Sequence, residues 1–298
     1  MKTLKHFFLT IVLFLLISNV SAQEIPSYYK VGVLKGSMQD AKTKVSNALK
    51  AKNFKIFGSY SPAGNPSYKV ICFTRNDIYG ITLIGKDQRV LASMQKVALR
   101  KTATGIEVSL LNPEYIFNAY LRDKITPYEA KLQKITSDIK EALKPVGDDF
   151  TPFGGSLSKK ELRKYHYMMA MPYFDDPVEL KTFSSFEEGA RIIENNLAAK
   201  KGNTLKVYSL RFNKSKIAVY GVGLLNKEEG EAYFLPKIGD SHIAALPYEI
   251  LLLGNKALML HGKYRLALHW PELTMSQFMK ISSTPGDIED MMEALCEQ

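Results

Sequence analysis

The side chains with chemical reach gather in two stretches. Tyr165-His166-Tyr167-Met168-Met169-Ala170-Met171 sets an imidazole among three thioethers, and His242, His261 and His269 lie downstream. Such donors suit soft copper ions. On an extended chain, however, His166 and Met168 share one face while Met169 and Met171 share the other, so the run does not converge by itself. Methionine beside aromatics is also ordinary core filling, and the expectation is no bound metal. Asp175 and Asp176, ahead of Pro177, form a carboxylate pair of the kind acid–base chemistry needs. The same step is a turn signature in which an aspartate accepts from nearby backbone, and Asp148-Asp149 reads the same way. Tyr165, His166, Asp175 and Asp176 are therefore the candidate ligand-binding residues, with none assigned a catalytic role. No serine sits in a nucleophile elbow, and no Gly-rich phosphate loop or Cys-x-x-Cys occurs. No cofactor is expected.

These residues lie between two stretches of one design. Ser37 to Leu49 (SMQDAKTKVSNAL) and Ser185 to Leu197 (SFEEGARIIENNL) both read as amphipathic helices, 185 − 37 = 148 positions apart. Each opens with a capping box, Ser37 with Asp40 and Ser185 with Glu188, and carries apolar residues at helical spacing. Asn112-Pro113-Glu114-Tyr115 recurs as Trp270-Pro271-Glu272-Leu273, and Thr126-Pro127 as Thr284-Pro285, both at 158. A duplication with about ten residues inserted in the second copy accounts for both offsets. The divisions expected are a signal at 1–22, a first repeat at 23–145, a linker and connecting strand at 146–177, and a second repeat at 178–298.

The opening segment reads as a secretory signal. Lys2 and Lys5 precede an apolar run from Phe7 to Ile17, and Val20-Ser21-Ala22 supplies the small residues of a cleavage site before Gln23. The expected location is exported, periplasmic or extracellular, with no membrane span after cleavage. Cys72, in an apolar strand, reads as a small core residue, and a bridge to Cys296 is not expected. Residues 23–145 hold 20 Lys and Arg against 10 Asp and Glu, whereas 146–298 hold 18 against 20. That asymmetry suits an anionic surface or a small ligand as partner; a solvated lysine-rich helix face is the plainer alternative. Nucleic acid is not expected, and homodimerisation stays open.

In chain order, strands are expected at Tyr28–Leu34, Phe54–Tyr60, Tyr68–Thr74 and Ile78–Ile84, with a short helix at 88–95 and a hairpin at 97–111. Thr126 is expected to cap a helix that carries one apolar stripe to Leu143 and stops at Pro145. Gly147–Ser156 reads as a boundary, and a short capped helix follows at 158–163. The second copy repeats the order, with extra residues placed at Lys227–Gly239. Apolar strands are expected at 247–253 and 257–261, the latter paired with Tyr264–His269. The fold class is α+β: two tandem β-α-β(4)-α units, each a mostly antiparallel sheet with helices on one face.

Val97 to Tyr120 (VALRKTATGIEVSLLNPEYIFNAY) resembles the C-terminal signature of the domain-of-unknown-function family 302, a hairpin with a turn glycine, a strand ending in Asn-Pro and a Tyr-containing helix. Tyr28 to Phe57 is similar to that family's opening strand and helix. The resemblance implies a tandem pair of TATA-binding-protein-like folds and carries no catalytic residues with it. Taken together, the chain is expected to be a non-enzymatic exported binding or interaction module of two fused copies. The alternatives are a hydrolase-like enzyme with its site at the repeat junction, and a small-molecule or lipid carrier with a cavity between Ile135, Ile139 and the sheet.

Overall fold

The computed structural model describes residues 24–169 and 171–298; the signal-like segment at 1–22 lies outside them. Ten helices accompany two antiparallel sheets. The first half supplies β1 (Glu24–Leu34), α1 (Met38–Ala51), β2 (Lys55–Tyr60), β3 (Tyr68–Thr74), α2 (Asn76–Thr82), β4 (Gln95–Thr102), β5 (Gly105–Leu111), α3 (Pro113–Leu121) and α4 (Glu129–Leu143). Then come β6 (Thr151–Ser158) and α5 (Lys159–Arg163). The second half supplies β7 (Val178–Thr182), α6 (Phe186–Ala198), β8 (Thr204–Phe212), β9 (Ile217–Leu224) and α7 (Glu231–Ile238). It closes with β10 (Tyr248–Leu253), β11 (Lys256–Met259), α8 (Gly262–His269), α9 (Met275–Met279) and α10 (Thr284–Ala294).

One sheet runs β2-β3-β4-β5-β1-β6 and the other β7-β11-β10-β9-β8. The first is interrupted at three places and the second at two. In the first, Val31 of β1 and Phe57 of β2 are skipped in the pairing and the β1–β6 register shifts between Pro26 and Tyr28; in the second, Leu180 of β7 and Val207 of β8 are skipped. An extra residue bends its strand and raises the local twist, so both sheets bend at their edges. Those edges meet: a Cβ on Gly58 would lie 1.8 Å from the Val207 carbonyl oxygen. The buried side chains form one continuous cluster through both halves, not two separate cores.

Local sequence explains much of this. Ser37 accepts from the Asp40 amide while Asp40 accepts from the Ser37 amide, completing the expected box. Ser185 likewise accepts from the Glu188 amide, but the Glu188 carboxylate turns back to the amide of Ser184 instead, at 2.9 Å. Thr126 caps nothing: it lies in a 3-10 turn over Arg122–Tyr128 that delivers the chain to α4 without a side-chain cap. The short capped helix is present as α5, with Ser158 and Glu161 exchanging bonds.

Several expectations change. Ile78–Ile84 is not a strand; Ile78, Ile81 and Thr82 bury one side of helix α2, at helical spacing. Tyr264–His269 is not the second arm of a hairpin either. It belongs to α8, buried on nearly every side, so it carries no polar face to mark its period. The His261 Nδ1 caps it, accepting from the Lys263 amide at 3.2 Å. Trp270-Pro271 therefore ends a helix rather than opening one, and it is not the counterpart of Asn112-Pro113. Lys227–Gly239 holds a helix of its own, α7.

The boundary composition at Gly147–Ser156 is also deceptive. Thr151–Ser158 adds a strand to the outer edge of β1. Gly154 (φ +80°) and Gly155 (φ +81°) take left-handed conformations where that pairing shifts register, and a Cβ on Gly154 would meet the rings of His242 and Tyr28 at 2.7 Å. Glycine supplies both the positive φ and the room there.

Candidate functional site

The segment that carries the candidate residues is pinned at both ends. Tyr165 is buried edge-on against Tyr264, with centroids 5.7 Å apart, and Phe174 is buried and stacked on Tyr120 at 5.2 Å. Inside the loop, His166 stacks on Tyr173 at 3.8 Å and its Nε2 meets the Met171 carbonyl at 2.7 Å. Burial drives the Tyr165 phenol well above its usual range.

The four candidates do not converge. Asp175 accepts from Gln88 at 3.2 Å and faces the Arg122 guanidinium at 3.7 Å. Asp176 accepts from the Tyr173 amide at 3.0 Å, the turn role its Asp-Asp-Pro setting suggests. His166 is spent on the loop's own backbone. No two of them are positioned to act on one substrate atom.

Closing the loop on itself leaves Tyr167, Met168 and Met169 on the outside. Tyr167, Met168 and Met171 then line a shallow cleft of about 40 Å³ with Lys263, Ala267 and Trp270 of α8 and its end, Leu273, and Met275 and Phe278 of α9. Lys263 is its one charged side chain. Of the large apolar side chains left exposed among the described residues, Val33 and Ile84 lie elsewhere, whereas Tyr167, Met168, Met169 (91%), Tyr173, Met275 and Met279 belong to this loop and to α9. Five of the eleven methionines are thus concentrated on one surface. An open groove of about 780 Å³ adjoins it across Tyr167 and carries Lys160, Lys164, Glu24, Glu161, Tyr165 and His166. Ligand sites are commonly apolar clefts of this character with few polar groups, and methionine adapts to irregular apolar shapes.

Trp270 is packed in the core but also forms part of this wall. Its ring is buried at right angles to Phe234, 6.5 Å away, and its Nε1 donates to the Gly239 carbonyl at 3.3 Å. By contrast, Ile135 and Ile139 are closely packed in the core, and the larger clefts are not lined by them. A carrier cavity at that place is not present.

A second polar group, invisible to motif reading, lies where the two sheets meet. Glu249 of β10 receives Lys96 of β4 at 2.5 Å and Arg265 of α8 at 2.9 Å. Lys96 and Arg265 both also donate to the Ala245 and Pro247 carbonyls. Burial opposes ionisation of Glu249, yet the Arg265 and Lys96 charges prevail and hold its carboxyl below the usual range. Arg265 also lies over the Tyr248 ring at 4.0 Å. Nearby, Glu231 is buried; it accepts from the Tyr60 hydroxyl at 2.7 Å and from the amides of Ala63 and Leu224. Burial pushes it up to about 7 against those three donors. These groups are enclosed and tie the halves together; they have no route to a substrate.

Cys72 and Cys296 are both buried as free thiols, each pushed up to about 12 by burial. Among the described residues no three His, Cys, Asp or Glu side chains gather as a metal-binding group. No helix among them is long and apolar enough to cross a membrane. Compared with known proteins, the chain matches no protein-family model and no curated sequence.

Proposed function

We propose that the protein is an exported, non-enzymatic binding module of two fused copies, whose ligand site is the methionine–aromatic cleft beside α8. Four observations support the duplication. Both halves run strand, helix, two strands, helix, two strands, helix and closing helix, with short α9 inserted in the second, and both place these strands in the same order, with β6 added in the first. Pro113 and Gly262 open the equivalent helices α3 and α8, at 262 − 113 = 149. The same 149 relates the skipped residues Val31 and Leu180, and 150 relates Phe57 and Val207. This arrangement supports the tandem family-302-like reading, with a helix added between the two hairpins of each half.

The cleft follows from where the copies differ. In the first half, α5 lies against α3, with Arg163 donating to Asn118 at 2.9 Å and pairing with Glu129 at 2.7 Å, and Lys159 pairing with Glu114 at 3.3 Å. The positions equivalent to Glu114 and Asn118 are Lys263 and Ala267, both in the cleft wall. The polar partners that hold α5 in the first half are replaced at those two positions. An enzyme at the junction has less support, because Tyr165, His166, Asp175 and Asp176 make no hydrogen bond to one another.

Native mass spectrometry of the chain recovered from its own export compartment tests this reading. The expected result is the mass of residues 23–298 with a non-covalent small-molecule adduct. A mass that includes residues 1–22 would overturn export, and a bare chain that takes up no apolar probe would overturn the binding role.

A further inference from the structure

An extended chain over 166–171 would hold its thioethers apart, but the chain turns there instead. The Met171 amide donates to the Met168 carbonyl at 3.1 Å, and that turn brings both side chains into the wall of the cleft beside α8. A third thioether arrives from a distant part of the sequence. Thr274 and Gln277 exchange bonds at the start of α9, which fixes Met275 in its first turn, and Met275 lines the same cleft. Met168 and Met275 are exposed and Met171 is half-buried, so core filling does not account for them. Resting on the binding-module reading above, we propose that Met168, Met171 and Met275 form a thioether site for one soft monovalent metal ion, Cu(I) or Ag(I).

The donor set decides the class of ion. Thioether sulfur is uncharged and polarisable and selects soft ions such as Cu(I), whereas magnesium, calcium and zinc take oxygen, nitrogen or thiolate ligands. The cleft wall holds no carboxylate, imidazole or thiol. Its volume of about 40 Å³ admits about three water-sized bodies, the scale of one ion with its remaining water. Flexible methionine side chains can draw their sulfurs in around such an ion. Lys263 stands in the same wall and repels cations, which favours one positive charge over two; because it is exposed, that repulsion is screened.

The full chain is titrated with silver nitrate in chloride-free buffer, and with a zinc salt as the control. Trp270, the only tryptophan in the chain, stands in the cleft wall and reports arrival of the ion by its fluorescence. Methyl NMR of labelled methionine reports which sulfurs take it. Ag(I) is expected to quench Trp270 saturably and to shift the Met168, Met171 and Met275 methyls together, with Met169 and Met279 nearly unmoved and no response to zinc. Met171→Leu, which conserves volume, should weaken binding at least about tenfold. Lys263→Gln should tighten it about two- to fivefold. Uptake at the buried thiols Cys72 and Cys296 would leave the three methyls in place and overturn the site. Equal shifts at Met169 and Met279 would mean loose thioether contact and overturn it as well, and a zinc response equal to that of silver would overturn the class of ion. Silence towards Ag(I) while an apolar dye shifts Trp270 emission would overturn the metal assignment and leave the binding-module reading in place. Silence towards both would overturn both.

Discussion

Glu249 faces two buried cations, and the imbalance decides how each partner tolerates removal. Lys96→Met leaves a neutral Glu249–Arg265 pair still bonded. Glu249→Gln leaves two ammonium-type charges enclosed without a counter-ion, which costs roughly 3–5 kcal/mol where such groups are buried. Urea unfolding midpoints should therefore fall far more for Glu249→Gln than for Lys96→Met; equal losses would contradict the account. Glu231 makes a different prediction. Its folded pKa, about 7, lies above its ordinary 4.5, so its contribution to stability is full below about pH 4.5 and is lost as pH rises through about 7. Linkage sets that loss at about 3 kcal/mol. His242, lowered to about 4 by burial, acts in the opposite sense: its contribution is present above its ordinary 6.5 and is lost as pH falls through about 4. The stability difference between the natural protein and Glu231→Gln isolates the first term and should decline from pH 5 to 8. A flat difference would refute it. Sequence reading passed over these groups because their partners are far apart in the chain. The available signal was a lone Lys96 in Gln-Lys-Val-Ala-Leu and a lone Glu249 in Tyr-Glu-Ile-Leu-Leu, each an acid or base inside an apolar strand.

At the scale of elements, the edges β2 and β8 pass so closely that backbone meets backbone at Gly58. A methyl there would strike the Val207 carbonyl at 1.8 Å, and no rotamer change relieves a backbone clash. Gly58→Ala should lower the unfolding free energy by the upper part of the ~1–3 kcal/mol overpacking range. Gly80→Ala, in α2 with nothing within 4 Å of the added carbon, should raise it by roughly 0.5–1 kcal/mol, because glycine weakens a helix interior. Equal signs for the two would show that local space is not what governs them. Helices α1, α4 and α6 were legible because each has one wet face, which sets a period. Helix α8 has almost none, and α2 is short, so apolar branched residues imitated strands in both. The cleft was illegible for another reason. Methionines 168, 169 and 171 look like core filler, and only the stacking of His166 on Tyr173 and the burial of Tyr165 and Phe174 turn them outward.

For the whole molecule, the continuous core predicts cooperativity. Calorimetry should give one unfolding transition, since separating the halves would expose Lys96, Glu249, Glu231 and Tyr60 together. Two resolved transitions would mean that the halves fold alone. The proposed doubling draws on two capped helices read in the sequence, although one of its supporting matches, Trp270 with Asn112, joined positions that differ in the fold. Lys96 and Glu249 are the second residues of β4 and β10, and their neighbours Cys72 and Gly221 are likewise paired across each sheet. On the proposed duplication, an ancestor of two identical subunits would have held one residue type facing its own twin at this site. A base and an acid in its place act as a ratchet: swapping either half for another copy of its sibling would set like charge against like charge in the dry interior. A return to separate, interchangeable chains would carry that penalty.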